Sequence, residues 1–263
     1  MSLVAARNNV RSYGEGKRSM VFAHGLGCDQ DMWRFIAPAF AADFQTVLFD
    51  HVGAGGSELS AFDPVRYGSL SGYADDLIEI VRDLRLKNIV FVGHSVSCMI
   101  GVLASITAPG LFDSLVLVGP SPCYINDAAY HGGFSAEDIE ELLQSMDDNY
   151  LGWSAAIAPV IMANPDRPEL ADELLSRLCR TDPALAKAFA RVTFTSDNRA
   201  DLTRVNTRSL ILQCSEDVIA STQVGEFVHR SIAGSTFVQM RATGHCPHLS
   251  APAETIAAMR AFV

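Results

Sequence analysis

Apolar residues follow two rhythms along this chain. Six short runs, at 19–23, 45–49, 88–92, 114–118, 209–214 and 235–240, are rich in Val, Leu, Ile and Phe and do not alternate strictly with polar residues. Strands covered on both faces carry that pattern, because neither face meets water. Between the runs, apolar positions at helical spacing predict helices over 72–84, 96–107, 222–231 and 253–262. Strands and helices in alternation predict an α/β architecture, a doubly wound, mostly parallel sheet flanked by helices.

The alternation stops at Pro120 and resumes at about Thr207, and the residues between contain no convincing strand. Four amphipathic stretches take its place. The first carries Ile139, Leu142, Leu143, Met146 and Tyr150 behind Ser135, an N-cap with Asp138 in the capping-box position. The second carries Trp153, Ile157, Val160 and Ile161, with Pro159 expected to kink or end it. The third follows Pro168 with Leu170, Leu174 and Leu178, and the fourth opens on Asp182-Pro183 and carries Leu185, Phe189 and Val192. The expected organisation is a core made of residues 1–120 and 207–263, with a helical lid, 121–206, inserted into it.

Candidate chemistry sits where predicted strands end. Val90-Phe91-Val92 runs into Gly93-His94-Ser95-Val96-Ser97 and then directly into a helix. Small residues at 93 and 97 allow a turn sharp enough to hold a serine hydroxyl above the sheet, as in the G-x-S-x-G nucleophile elbow. The last position is Ser97 where the motif has glycine, a departure that a small residue tolerates. A serine hydroxyl is a weak nucleophile and requires a base that a third group orients. Asp217 follows the run at 209–214 and His245 follows the run at 235–240, so the order is Ser, Asp, His, as in α/β hydrolases. Glu216, one residue away, is the alternative acid. An oxyanion formed at Ser95 needs two donors, and position assigns these to the backbone N–H groups of Val96 and of Leu26, in the loop His24-Gly25-Leu26-Gly27.

The other histidines of these loops, His24, His51 and His94, read as structural. His245, Cys246 and His248 lack a further ligand group at metal-like spacing, so no metal is expected. The glycine-rich segment from Asp50 to Ser57 has no following lysine and reads as a strand-end turn.

Composition narrows the class. Among 263 residues, 49% are hydrophobic and 19% charged, enough apolar material for one sizeable core. The 20 basic and 30 acidic residues leave a net charge of −10 without a Lys/Arg cluster, which argues against nucleic acid or anionic membrane as a partner. No segment approaches the ~20 apolar residues that span a bilayer, and the N-terminus carries no run of signal-peptide length. A soluble, cytoplasmic protein is expected. Cys28, Cys98, Cys123, Cys179, Cys214 and Cys246 include no C-x-x-C pair and predict buried free thiols.

Several segments carry a resemblance. His24-Gly25-Leu26-Gly27-Cys28-Asp29-Gln30, Gly93 to Ser97, Gly119 to Asp127, Gly132-Gly133-Phe134, Leu212-Gln213-Cys214 and Gly244-His245-Cys246-Pro247-His248 are similar to the RsbQ-like α/β hydrolases of bacterial stress signalling. They also resemble the plant hydrolases that perceive karrikins and strigolactones. The resemblance implies an α/β-hydrolase fold under a V-shaped four-helix lid, with Ser95, Asp217 and His245 as a triad. It places Tyr124, Phe134, Leu142, Trp153, Ile157, Phe194, Val218 and Ile219 around the serine, and Leu26 stands where relatives commonly have Phe.

Two functions follow. The first is a serine hydrolase acting on a small, largely apolar ester, lactone or enol ether, with no cofactor. Aspartate-nucleophile activities on the same fold are disfavoured because position 95 is Ser. The second is a signalling protein that binds a small signal molecule and docks a regulatory partner, such as a phosphatase with a sensor domain, on its lid.

Overall fold

In a computed structural model, which describes residues 2–263, the six apolar runs become parallel strands of a single sheet. These are β2 (Arg18–Ala23), β3 (Phe44–Phe49), β4 (Ile89–His94), β5 (Ser114–Val118), β6 (Arg208–Gln213) and β7 (Thr236–Gln239). A seventh strand, β1 (Arg11–Tyr13), pairs antiparallel with β3, and the order is β1-β3-β2-β4-β5-β6-β7. Side chains alternate between the faces of β2: Val21 and Ala23 join one buried cluster, Met20 and Phe22 the other. Both faces are covered along β2 to β6, which is why those runs show no polar alternation, whereas the edge strand β7 keeps Thr236 and Gln239 exposed. Strand β1 leaves no apolar signature, because all three of its residues are exposed and edge pairing to β3 rests on backbone bonds.

A short N-terminal helix, α1 (Leu3–Arg7), precedes the sheet. Helices α2 (Leu70–Asp83) and α3 (Val96–Thr107) cover one face, where Tyr73, Leu77 and Ile100 meet Val21, Phe91 and Leu115. Four helices then lie between β5 and β6: α4 (Ala136–Asp148), α5 (Tyr150–Met162), α6 (Pro168–Arg180) and α7 (Pro183–Thr195). After them come α8 (Arg199–Leu202), α9 (Thr222–Ser231), α10 (Pro247–Ser250) and α11 (Pro252–Phe262), the last burying Met259 and Phe262 against the opposite face. Among the described residues no helix is long and apolar enough to cross a membrane.

Local signals account for several helix ends. Ser135 Oγ accepts from the Asp138 N–H at 3.0 Å while Asp138 Oδ2 accepts from the Ser135 N–H at 2.7 Å, closing the capping box of α4. Asp182 Oδ1 accepts from the N–H groups of Ala184 and Leu185 at the start of α7. Pro159, in contrast, does not end α5, which continues to Met162 and closes on Ala163 at φ 46°. Ala155, whose carbonyl loses its partner to the proline ring, lies with Pro159 on the exposed side of the helix, so the freed group is not stranded in the core. The thiols depart from expectation at one position. Five are buried, but Cys179 is exposed because it lies one residue round α6 from the inward-facing Leu178.

Candidate active site

Ser95 occupies the single residue between β4 and α3, with φ 56° and ψ −123°. That region of backbone space is uncommon for a residue bearing a side chain and stores strain on the order of 1–3 kcal/mol. The surroundings enforce it: the Ser95 N–H donates to the Val118 carbonyl at 2.9 Å, and the Cys98 N–H donates to the Ser95 carbonyl at 2.9 Å. Gly93 is required because a Cβ there would stand 2.6 Å from the Ser97 carbonyl oxygen. The turn therefore presents the hydroxyl at the carboxyl end of the sheet, on the N-terminus of α3.

Two other strand ends converge on it. His245 Nε2 lies 2.8 Å from Ser95 Oγ, and His245 Nδ1 lies 2.7 Å from Asp217 Oδ2. The other carboxylate oxygen of Asp217 accepts from the N–H groups of Ile219 and Ala220 at 2.9 and 3.0 Å. Burial alone would push the Asp217 carboxyl up, but His245 and those N–H groups outweigh it and hold it below the usual carboxylate range. Glu216 faces solvent and pairs through its backbone with Thr243, so Asp217 is the acid in contact. The His245 loop is anchored twice. Its N–H donates to the Ile161 carbonyl at 2.8 Å, and its carbonyl accepts from His94 Nε2 at 2.8 Å. Burial, then the neighbouring His245, depresses His94 to about 3, so it is neutral and serves as that donor.

The loop after β2 closes the other side. A Cβ on Gly25 would lie 3.4 Å from Ser95 Cβ, so the backbone leading to Leu26 passes in contact with the serine. Ser97, where the elbow motif has glycine, has its own partners. Its hydroxyl donates to the His24 carbonyl at 2.5 Å and lies 2.7 Å from His51 Nε2, inside a buried cluster. Ser97→Gly is expected to lower stability by about 1–3 kcal/mol by leaving the His51 N–H unpaired, despite restoring the common motif. Urea unfolding checks this, and an unchanged midpoint would refute it.

An apolar cavity of about 50 Å³ opens over Ser95 and His245. Leu26, Tyr124, Leu142 and Trp153 line it, as do Ile157, Phe194 and Ile219. Two expected pocket residues do not. Val218 is 55% exposed: Asp217 turns inward to His245, and the next side chain consequently points out to solvent. Phe134 is half-buried and packs behind the cavity wall, its segment held by backbone bonds to Tyr124 and Asn126. Lining residues that sequence reasoning missed are Cys28, His94, Ile161, Leu174, Leu178, Thr193 and Cys246. Helical spacing did identify the inward faces carrying Ile161, Leu174 and Leu178, but spacing does not say which neighbour a face meets. For Cys246, adjacency to His245 was the available signal.

A parallel sheet with a serine elbow after one strand, and an acid and a histidine after two later ones, defines an α/β hydrolase, and the chain belongs to that family. The family profile, described as the alpha/beta hydrolase family, matches residues 20–258. The chain is 40% identical to a strigolactone esterase of Arabidopsis thaliana, covering 94% of this chain and 92% of that one. It is 39% identical to a karrikin insensitive 2 receptor of Petunia hybrida, covering 96% and 94%. Among solved structures, a hydrolase from Oleispira antarctica superposes with a TM-score of 0.96 at 40% identity, covering 99% of this chain and 96% of that one.

Proposed function

We infer that the protein is a serine hydrolase of small, largely apolar esters or lactones. The observation that carries this reading is the unbroken line Ser95 Oγ, His245 Nε2, His245 Nδ1, Asp217 Oδ2, with steps of 2.8 and 2.7 Å, at the floor of an apolar cavity. Ser95 Oγ attacks the ester carbonyl as its proton passes to His245 Nε2. The resulting imidazolium is stabilised by Asp217, and the N–H groups of Leu26 and Val96 face the oxyanion. Collapse breaks the bond to the leaving oxygen, which takes the proton from His245. Water then attacks the acyl-serine with His245 as base, releasing the acid and restoring Ser95. The esterase name of the Arabidopsis relative supports ester chemistry, and the cavity limits the acyl part to a small group.

Covalent trapping tests it. A fluorophosphonate should add one phosphonyl group per chain, located on Ser95 by peptide fragmentation. A label on Ser97 or elsewhere would contradict the assignment.

A second reading has its own support. Leu151 and Val160 on α5 are 60% and 47% exposed, an apolar outer face on a helix whose inner face lines the cavity, and a relative at 39% identity is named a receptor. Such a surface suits an RsbQ-like role in which the helices dock a regulatory protein. Leu151→Asp with Val160→Asp should leave ester hydrolysis intact and abolish capture of a sensor-domain phosphatase regulator. Equal capture by both proteins would end the docking idea.

A further inference from the structure

Beside His245, three side chains approach one another that no step of the hydrolysis uses. One ligand atom each from His94, Cys246 and His248 lies within 4.8 Å of the others, and all three residues are buried. His248 is fully enclosed, and neither of its ring nitrogens has a hydrogen-bond partner among the described residues. His94 Nδ1 is likewise unpaired. A buried polar atom without a partner costs roughly 1–3 kcal/mol, so three at one place call for an occupant.

We propose that His94, Cys246 and His248 form a binding site for a borderline-soft divalent cation, of which Zn²⁺ fits best. Two imidazoles and a thiolate are the donors this ion prefers, with bonds of about 2.0–2.3 Å and tetrahedral geometry. That geometry separates ligand atoms by roughly 3.3–3.6 Å, within reach of small side-chain rotations. The histidines are already in the required form. His94 donates its Nε2–H to the His245 carbonyl, so its Nδ1 presents a lone pair, and burial keeps His248 neutral. The Cys246 thiol loses its proton to solvent as the S–Zn bond forms, one proton per ion, with the cation replacing the proton's charge. The fourth position is left for water, since Cys246 and His94 also line the cavity. Sequence spacing concealed the site because His94 comes from the nucleophile elbow and the other two from the loop after β7.

The test is titration of reduced, EDTA-treated protein with Zn²⁺ against a chromophoric chelator. One equivalent should bind, and Cys246→Ser and His248→Gln should each weaken binding on the order of 100-fold or more. Co²⁺ added to the unsubstituted protein should show thiolate-to-cobalt charge transfer and tetrahedral d–d bands, a readout that needs neither stable variants nor catalysis. Cys179→Ser, which removes the exposed thiol, should bind as the parent does. Absence of the cobalt bands, retention of binding in Cys246→Ser, or loss of it in Cys179→Ser would each overturn the proposal.

Discussion

Ser95→Ala is expected to lower kcat/KM for short p-nitrophenyl esters on the order of 10³-fold or more. The substitution removes one oxygen atom and leaves the cavity, His245 and the backbone N–H groups around the oxyanion position in place. What remains is the modest acceleration that binding and oxyanion stabilisation supply without a nucleophile. Folding should be little affected: the Ser95 Oγ contact to His245 Nε2 at 2.8 Å is lost, but that nitrogen borders the cavity. Alanine also inherits the φ of 56°, so the strain at the elbow is neither relieved nor increased. Steady-state kinetics with thermal melting decides the matter, and a variant that melts like the parent and turns over at the parent rate would show that another group attacks.

Asp217→Asn should cost about 10³ to 10⁴ in kcat, nearly as much, although Asp217 never touches substrate. An amide is the same size as the carboxylate and can still face His245 Nδ1. It cannot stabilise the imidazolium by charge, and its NH₂ can impose the tautomer that leaves Nε2 protonated and unable to accept from Ser95. The same residue makes a prediction about pH. Because the folded carboxyl lies below its usual range, the folded state binds its proton less readily than the unfolded chain. The stability this contributes is present above about pH 4 and is lost as pH falls through the folded value. Parent and Asp217→Asn melting temperatures should therefore differ at neutral pH and converge in acid, with no convergence if the pairing to His245 is absent.

Much of the architecture was legible because parallel strands buried on both faces leave an unmistakable apolar run, and because caps such as Ser135 and Asp182 act within four residues of their targets. The candidate chemistry was legible for a related reason. In this fold reactive residues follow strand ends, so Ser95, Asp217 and His245 could be named from where each run stopped. Edge strand β1 was not legible, since its pairing with β3 involves backbone atoms and exposed side chains. Whether Pro159 would end α5 was not legible, because that depends on whether the freed carbonyl faces water or core, and α5 presents it to the exposed side.

Sequence alone determined which faces are apolar, which positions can turn, and which residues bear chemistry, because these follow from covalent character and local periodicity. The tertiary structure decided which of these groups meet. It brought Ser95 and His245 together across 150 residues, turned Val218 outward while admitting Cys28, Leu174 and Leu178 to the cavity, and explained Ser97 by partners on two other loops. It also closed His94 onto Cys246 and His248. The reason is common to all of these: local spacing sets a side chain's direction from its own backbone, whereas its neighbours depend on how distant elements pack.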